Sequence, residues 1–217
     1  MDTYRVTLTG KAPLIMHRDN IEWADQMEKW RNAPENKGGS VRGDDRSPAH
    51  TWIGCVYHDG EKLIIPAENV MRSMMEAGAM VPTGQGKKTF KSQSQSGISP
   101  LDNFKFLLDG EEVPFSPIEE LKNERDFDTH QEVVKDLGFT LFTLRAKVGT
   151  SKHVRVRPRF AKWSCVGELY VIDEMITHTV LQTILSYAGK YKGLCDWRPG
   201  CATPGVFGTF NAEVKRI

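Results

Sequence analysis

Apolar and polar positions alternate from Thr3 to Thr9. Tyr4, Val6 and Leu8 fall on one side, and Arg5, Thr7 and Thr9 on the other. A period of two is the mark of a half-buried strand. From Asp19 to Arg31 the period lengthens, with Ile21, Trp23, Met27 and Trp30 near helical spacing, and this predicts a helix. Residues 33–50 are rich in Gly, Pro, Asn and charge and keep no period, which predicts a loop, ordered or disordered. Thr51 to Tyr57 and Lys62 to Ile65 read as strands around the turn His58-Asp59-Gly60. Pro66 suits the first turn of a helix running to about Met80, with Val70, Met71, Met74 and Met75 as its apolar stripe.

The second half alternates between weak and strong patterns. Val81 to Pro100 is polar and rich in Gly, Ser and Gln, and predicts a mobile loop. Leu101 to Asp136 mixes short apolar runs with turns and acids. Gly138 to Val148 and Lys152 to Phe160 predict two strands joined at Gly149-Thr150. Cys165 to Ile172 alternates as a further strand, and Val180, Leu181, Ile184, Leu185 and Ala188 mark a helix over Thr177 to Tyr191. Gly193 to Gly205 reads as a loop, and Val206 to Arg216 as a closing strand. Strand–helix–strand early and again late predicts an α+β chain with a ferredoxin-like or RRM-like core, inserted hairpins and long loops. The expected organisation is one domain over residues 1–217, interrupted by the 33–50 loop and by an 81–136 loop and acidic insertion.

Charge changes this picture more than composition does. The formal net charge is only +1, which excludes a globally basic nucleic-acid protein. Yet from Leu101 to Asp136 eleven acids oppose four bases, and the segment carries −7. From Arg145 to Lys162 seven bases stand with no acid, and Gly84 to Ser96 adds Lys87, Lys88 and Lys91, again with no acid. A near-neutral total therefore hides a polarised chain. No apolar run reaches the ~18 residues of a membrane helix, and Met1 to Arg5 has no apolar stretch, so the expectation is a cytoplasmic protein without membrane contact. The four cysteines, Cys55, Cys165, Cys195 and Cys201, form no CxxC and are expected as free thiols, with no metal and no cofactor.

Three segments carry candidate chemistry. In Arg155-Val156-Arg157-Pro158-Arg159-Phe160 the alternation places Arg155, Arg157 and Arg159 on one face, about 6–7 Å apart, a spacing that suits the phosphates of a single strand. Lys152 extends this track, and the alternative is internal pairing with the acidic segment. Gly84-Gln85-Gly86-Lys87-Lys88 through Lys91 is not a P-loop but a basic loop that could close on a strand, or simply a loop. In the late loop Trp197 and Arg198 offer a stacking ring and a cation, with a structural turn burying Trp197 as the alternative. Phe160 is a second candidate for stacking. His17 and His153 are the only candidates for a general base, and no Ser-His-Asp, GxSxG or HExxH signature accompanies them.

Thr9-Gly10-Lys11-Ala12-Pro13-Leu14, then Leu63-Ile64-Ile65-Pro66 leading into a helix, then a glycine-rich loop before a last strand, resembles the RAMP superfamily. These are RRM-derived backbone subunits of CRISPR effector complexes. Pro13-Leu14-Ile15-Met16-His17 and Gly193-Leu194-Cys195-Asp196-Trp197-Arg198-Pro199 are also similar to stretches of small uncharacterised phage proteins. The chain departs from both patterns: Ala67-Glu68-Asn69 replaces Gly-Ser-Ser after Ile-Pro, and Cys195 stands where the phage-like stretch has Gly. The resemblance implies the RRM-like fold and a protein that coats single-stranded DNA or RNA as a head-to-tail homo-oligomer, and the missing catalytic signatures make the expectation non-catalytic. The rival expectations are an RNA-processing or nuclease enzyme on the same fold, and an assembly protein without nucleic acid.

Overall fold

The computed structural model describes residues 2–34, 51–148 and 151–217. In chain order its elements are β1 (Asp2–Gly10), β2 (Leu14–Ile15), α1 (Ile21–Asn32), a 3-10 turn (Ile53–Cys55), β3 (Ile64–Ile65), α2 (Ala67–Gly78), α3 (Lys91–Ser96) and β4 (Ile98–Pro100). There follow β5 (Phe104–Leu108), β6 (Glu111–Glu112), α4 (Ser116–Glu120), a second 3-10 turn (Leu121–Asn123), α5 (Phe127–Asp136), β7 (Thr140–Val148) and β8 (Ser151–Phe160). The chain closes with β9 (Ser164–Val171), α6 (His178–Tyr187), a π turn (Ala188–Lys192) and β10 (Phe210–Arg216). The fold class is α+β, as the patterning predicts. The chain divides into two compact units, each discontinuous in sequence: Met1–Ile15 with Lys62–Val113 and Ala161–Ile217, and Met16–Glu61 with Pro114–Phe160. The 81–136 segment is thus shared between them.

The first unit is built on an antiparallel sheet in the order β10-β1-β9-β5-β3. Read as β1–α2–β5–β9–α6–β10, with spatial order β10-β1-β9-β5, this is the ferredoxin-like arrangement. The alternation of β1 turns Tyr4, Val6 and Leu8 into the core and leaves Arg5 and Thr9 exposed. Helices α2 and α6 pack against each other. In α2 the buried stripe is Val70, Ser73, Met74 and Ala77, so it is rotated toward the small residues, and Met71 and Met75 are only half-buried. Thr177 caps α6, its Oγ1 accepting from Val180 N at 3.3 Å. Gly167 lets the ring of Phe104 lie on β9, since a Cβ there would sit 2.5 Å from that ring. The other face of the sheet is charged and balanced: Arg5 pairs with Glu168 at 3.2 Å, Lys105 with Glu112 at 2.9 Å, and Lys215 with Glu213 at 3.1 Å.

The second unit carries the β7–β8 ribbon, paired antiparallel from Thr140↔Arg159 to Val148↔Ser151, with α1, α4 and α5. Its core holds Trp52, Phe139 and Phe160, with ring centroids 6.0 Å apart for Trp52–Phe139 and 4.8 Å for Phe139–Phe160. Asp126 caps α5 by accepting from Thr129 N at 3.0 Å.

Three expectations are corrected. The strand expected over Thr51–Tyr57 is a 3-10 turn, because Trp52 to Val56 are buried without alternation, and an apolar run buried on all sides does not reveal its own period. The mobile loop expected over Val81–Pro100 is structured as a short hairpin, then α3, then β4. Buried Val81, Phe90 and Ser94 anchor it. The closing strand starts at Phe210, not Val206, which is 73% exposed. Residues 35–50 of the expected 33–50 loop, and the turn at Gly149-Thr150, lie outside the described residues.

Candidate nucleic-acid interface

The basic segment Gly84–Lys91 is displayed rather than packed. Phe90 N donates to Val81 O at 3.0 Å and Thr83 N to Lys88 O at 3.0 Å, which closes the hairpin. Gly84 and Gly86 turn its tip with φ of 80° and 62°, and nothing lies within 4 Å of where their Cβ atoms would be. Lys87 and Lys88 are exposed at this tip, and Lys91 is exposed at the start of α3. None of the three makes an ion pair among the described residues. A cation in the first turn opposes the helix dipole, so Lys91 adds nothing to α3 itself. Backbone space and uncompensated charge occur together here.

The β8 segment is only partly displayed. Arg155 is exposed and Arg159 half-buried. Arg157 is 9% exposed, and its guanidinium donates to Cys55 Sγ at 3.2 Å, Val156 O at 3.4 Å and His17 Nε2 at 3.2 Å. Phe160 is fully buried against Phe139. The expected three-arginine face therefore fails at its middle, and Phe160 is core, not a stacking surface. Alternation assigns residues to two sides of a strand; it cannot say whether a side is covered. The side chains of Lys152 and His153 lie outside the described residues.

The late loop is a self-packed knot. Arg198 grips α2, with Nη1 on Glu76 Oε2 at 2.8 Å, Nη2 on Glu76 Oε1 at 3.2 Å, and Nη1 on Lys192 O at 3.1 Å. Burial works to raise the Glu76 carboxyl, but hydrogen bonds from Arg198 and Arg72, with their charges, outweigh it and hold the pKa below the ordinary value. Trp197 is half-buried, its ring tilted over Phe207 with centroids 5.6 Å apart. The loop's glycines face the loop's own chain: a Cβ on Gly205 would meet Trp197 O at 1.9 Å, and one on Gly208 would meet Leu194 O at 2.1 Å. Arg198 is thus corrected from a ligand contact to a structural clamp, and Trp197 gives part of its ring to the loop. Burial, then the Asp196 charge, push the Cys195 thiol up to about 12, so it is a poor nucleophile.

A second set of groups was not visible in the sequence. In the second unit Arg18 Nη1 donates to His58 Nε2 at 3.0 Å, and His58 stacks on Phe115 with centroids 3.6 Å apart and planes 5° apart. A cleft of about 130 Å³ lies beside them, lined also by Asn20, Trp23 and Lys122. In the sequence His58 reads only as part of the turn His58-Asp59-Gly60. In the first unit the π turn exposes Tyr191, which the helical pattern treats as an ordinary last-turn residue. Among the described residues no three His, Cys, Asp or Glu side chains gather to hold a metal ion, and no helix is long and apolar enough to cross a membrane.

The chain is an α+β protein whose first unit has the ferredoxin-like strand order. No protein-family model matches it, and no curated protein sequence does.

Proposed function

We propose that this protein binds single-stranded nucleic acid without catalysis, by its phosphates, in the cytoplasm of a bacterial or phage-infected host cell. The observation that carries the reading is the hairpin tip, where Lys87, Lys88 and Lys91 are exposed and unpaired among the described residues beside two glycines with open space. A sugar-phosphate chain can approach such a backbone closely and meet cations there. Exposed Arg155 and half-buried Arg159 on β8 add phosphate contacts in the second unit. The balanced charge on the open sheet face argues against the base-reading sheet of an RRM, so the reading rests on loops and a ribbon. The RAMP-like setting, either a CRISPR effector backbone or a phage replication or recombination protein, is the context proposed for it, with protomers repeating head to tail. The ferredoxin-like strand order supports that context.

Anisotropy with labelled single-stranded DNA, single-stranded RNA and duplex across a salt series tests the reading. Binding to one single strand with a steep salt slope is expected. In the Lys87→Glu/Lys88→Glu variant the slope of log K against log salt should fall by roughly 1.4, at about 0.7 per lost phosphate contact. An unchanged slope in a folded variant removes the hairpin from the interface. Absence of binding to all three ligands at low salt defeats the whole reading.

The enzymatic rival has exposed His17 as its base, but His17 Nε2 accepts from the buried Arg157 guanidinium at 3.2 Å, so that lone pair is already engaged. Cleavage of labelled RNA that His17→Ala abolishes would replace the binding reading with this one.

A further inference from the structure

Helix α6 does not end where its hydrogen bonding changes. It runs on from Tyr187 into the π turn Ala188–Lys192 and stops at Gly193, whose φ is 69°. The inner side of this turn is pinned. Ala188 and Gly189 are buried, and a Cβ on Gly189 would meet the Phe210 carbonyl oxygen of β10 at 2.1 Å. Only glycine lets the two backbones come this close. The turn is therefore seated on the sheet by backbone contact, and its outer side chains inherit a fixed base.

Those outer side chains are two rings and a cation. Tyr187 and Tyr191 meet edge to face with centroids 5.4 Å apart. The Lys190 ammonium lies over the Tyr191 ring, 4.9 Å from its centroid. Tyr191 is 39% exposed and Lys190 is exposed. From Leu185 to Cys195 there is no acid. A core aromatic would be covered, and a solubilising lysine would not need a rigid ring beneath it. A π turn is a rare arrangement and occurs frequently at functional sites.

We propose that Tyr191, braced by Tyr187 and flanked by Lys190, is a base-stacking platform for single-stranded nucleic acid. This rests on the binding function proposed above and names a second kind of contact for it. A nucleotide offers a π face and a phosphate one sugar apart; the platform offers a ring and an ammonium one residue apart. Stacking tolerates any base, so the site adds affinity without sequence preference. Nucleic acid is favoured over a protein partner because the charged side chains of the turn itself, Lys190 and Lys192, are both cations, while the nearby Glu76 carboxylate is engaged by Arg198.

The test compares an oligo-dT strand with an abasic sugar-phosphate strand of equal length, each labelled, for the wild type, Tyr191→Phe and Tyr191→Ala. The wild type should prefer oligo-dT. Tyr191→Phe should keep that preference. Tyr191→Ala should bind oligo-dT roughly 5- to 150-fold more weakly and the abasic strand as before. Equal loss on both strands, or no loss on either, overturns the platform. Circular dichroism melting of Tyr191→Ala separates loss of stacking from loss of fold. Wild-type protein that binds neither strand at low salt defeats the function itself. Wild-type protein that binds both strands equally, with Tyr191→Ala unchanged, defeats only the platform and leaves phosphate binding in place. A variant that instead loses self-association with unaltered affinity assigns the surface to a second copy and also overturns the proposal.

Discussion

The indole N–H of Trp52 can only donate, and this sets the state of His130. Trp52 Nε1 lies 3.0 Å from His130 Nδ1, so Nδ1 accepts and the ring proton sits on Nε2, 3.1 Å from Glu124 O. A second proton on Nδ1 would face another donor. His58 is held in the same way: Arg18 cannot accept, so Nε2 accepts and Nδ1 carries the proton. That Nδ1 is buried without a partner among the described residues. Both pKa values lie below the ordinary histidine value, His130 through burial, and His58 through burial and then the Arg18 and Lys122 charges. The sign follows. An unfolded chain takes up these protons near pH 6.5 while the folded chain does not, so the unfolded state gains protons first as pH falls. The stabilisation is complete above about pH 6.5 and is lost as pH drops through that value toward the lowered folded pKa values. Denaturant unfolding between pH 8 and pH 5 should show stability declining below 6.5. His130→Gln keeps an acceptor for Trp52 and should flatten that decline. A wild-type profile flat to pH 5 would refute the assignment. The lowered carboxyls of Glu76, Glu119, Glu124 and Asp126 act in a more acidic range, mainly below about pH 5.

At the scale of elements, two glycine-rich loops with similar composition do opposite things. The hairpin turns its glycines outward into open space, whereas the late loop turns Gly205 and Gly208 onto its own carbonyls. Arg198 and Glu76 then tie the late loop to α2, with side chains 13% and 20% exposed. Breaking a mostly buried pair leaves a carboxylate without its partner, so Arg198→Met should cost about 2–4 kcal/mol in chemical denaturation. It should leave the affinity for single strands near wild type at temperatures where the variant is folded. A large loss of affinity with little loss of stability would restore Arg198 as a ligand contact. The same contrast shows what the sequence could reveal. β1, α2, α6 and β9 were legible because each has one covered and one open face, and periodicity records that difference. The turn at Ile53–Cys55 was not, because Trp52 to Val56 are buried on every side. The hairpin reads as mobile in the sequence because its order depends on Val81 and Phe90, which flank a polar stretch. The inward arginine, Arg157, reads as outward in the sequence because its cover comes from Cys55 and His17, about a hundred residues or more away along the chain. Similarly, nothing local marks Arg198 as the partner of Glu76.

At the scale of the whole molecule, a net charge of +1 is the sum of strongly opposed segments, and opposed segments on one chain can meet on different copies. Helix α5 carries acids that make no ion pair among the described residues. Asp128, Glu132 and Asp136 recur every four residues along one side of α5, and all three are exposed. Asp136 stands in the last turn, where a negative charge opposes the helix dipole, so its presence does nothing for α5. If protomers repeat head to tail, this acidic stripe meets a basic surface of the neighbour, which is a heterologous contact that need not close. Such a contact is electrostatic and must weaken as the Debye length shrinks from about 10 Å at 0.1 M salt to about 3 Å at 1 M. Sedimentation velocity on a long single strand should therefore show contiguous arrays near 0.1 M salt and isolated occupancy near 1 M. Glu132→Gln/Asp136→Asn should give isolated occupancy even near 0.1 M, with helix content unchanged and affinity for a strand one protomer long retained. That last comparison carries the argument, because it removes the neighbour and keeps the ligand. Arrays that persist in the variant would place the protomer contact elsewhere, and loss of affinity for the short strand would mean that α5 supports binding within one protomer rather than assembly between two.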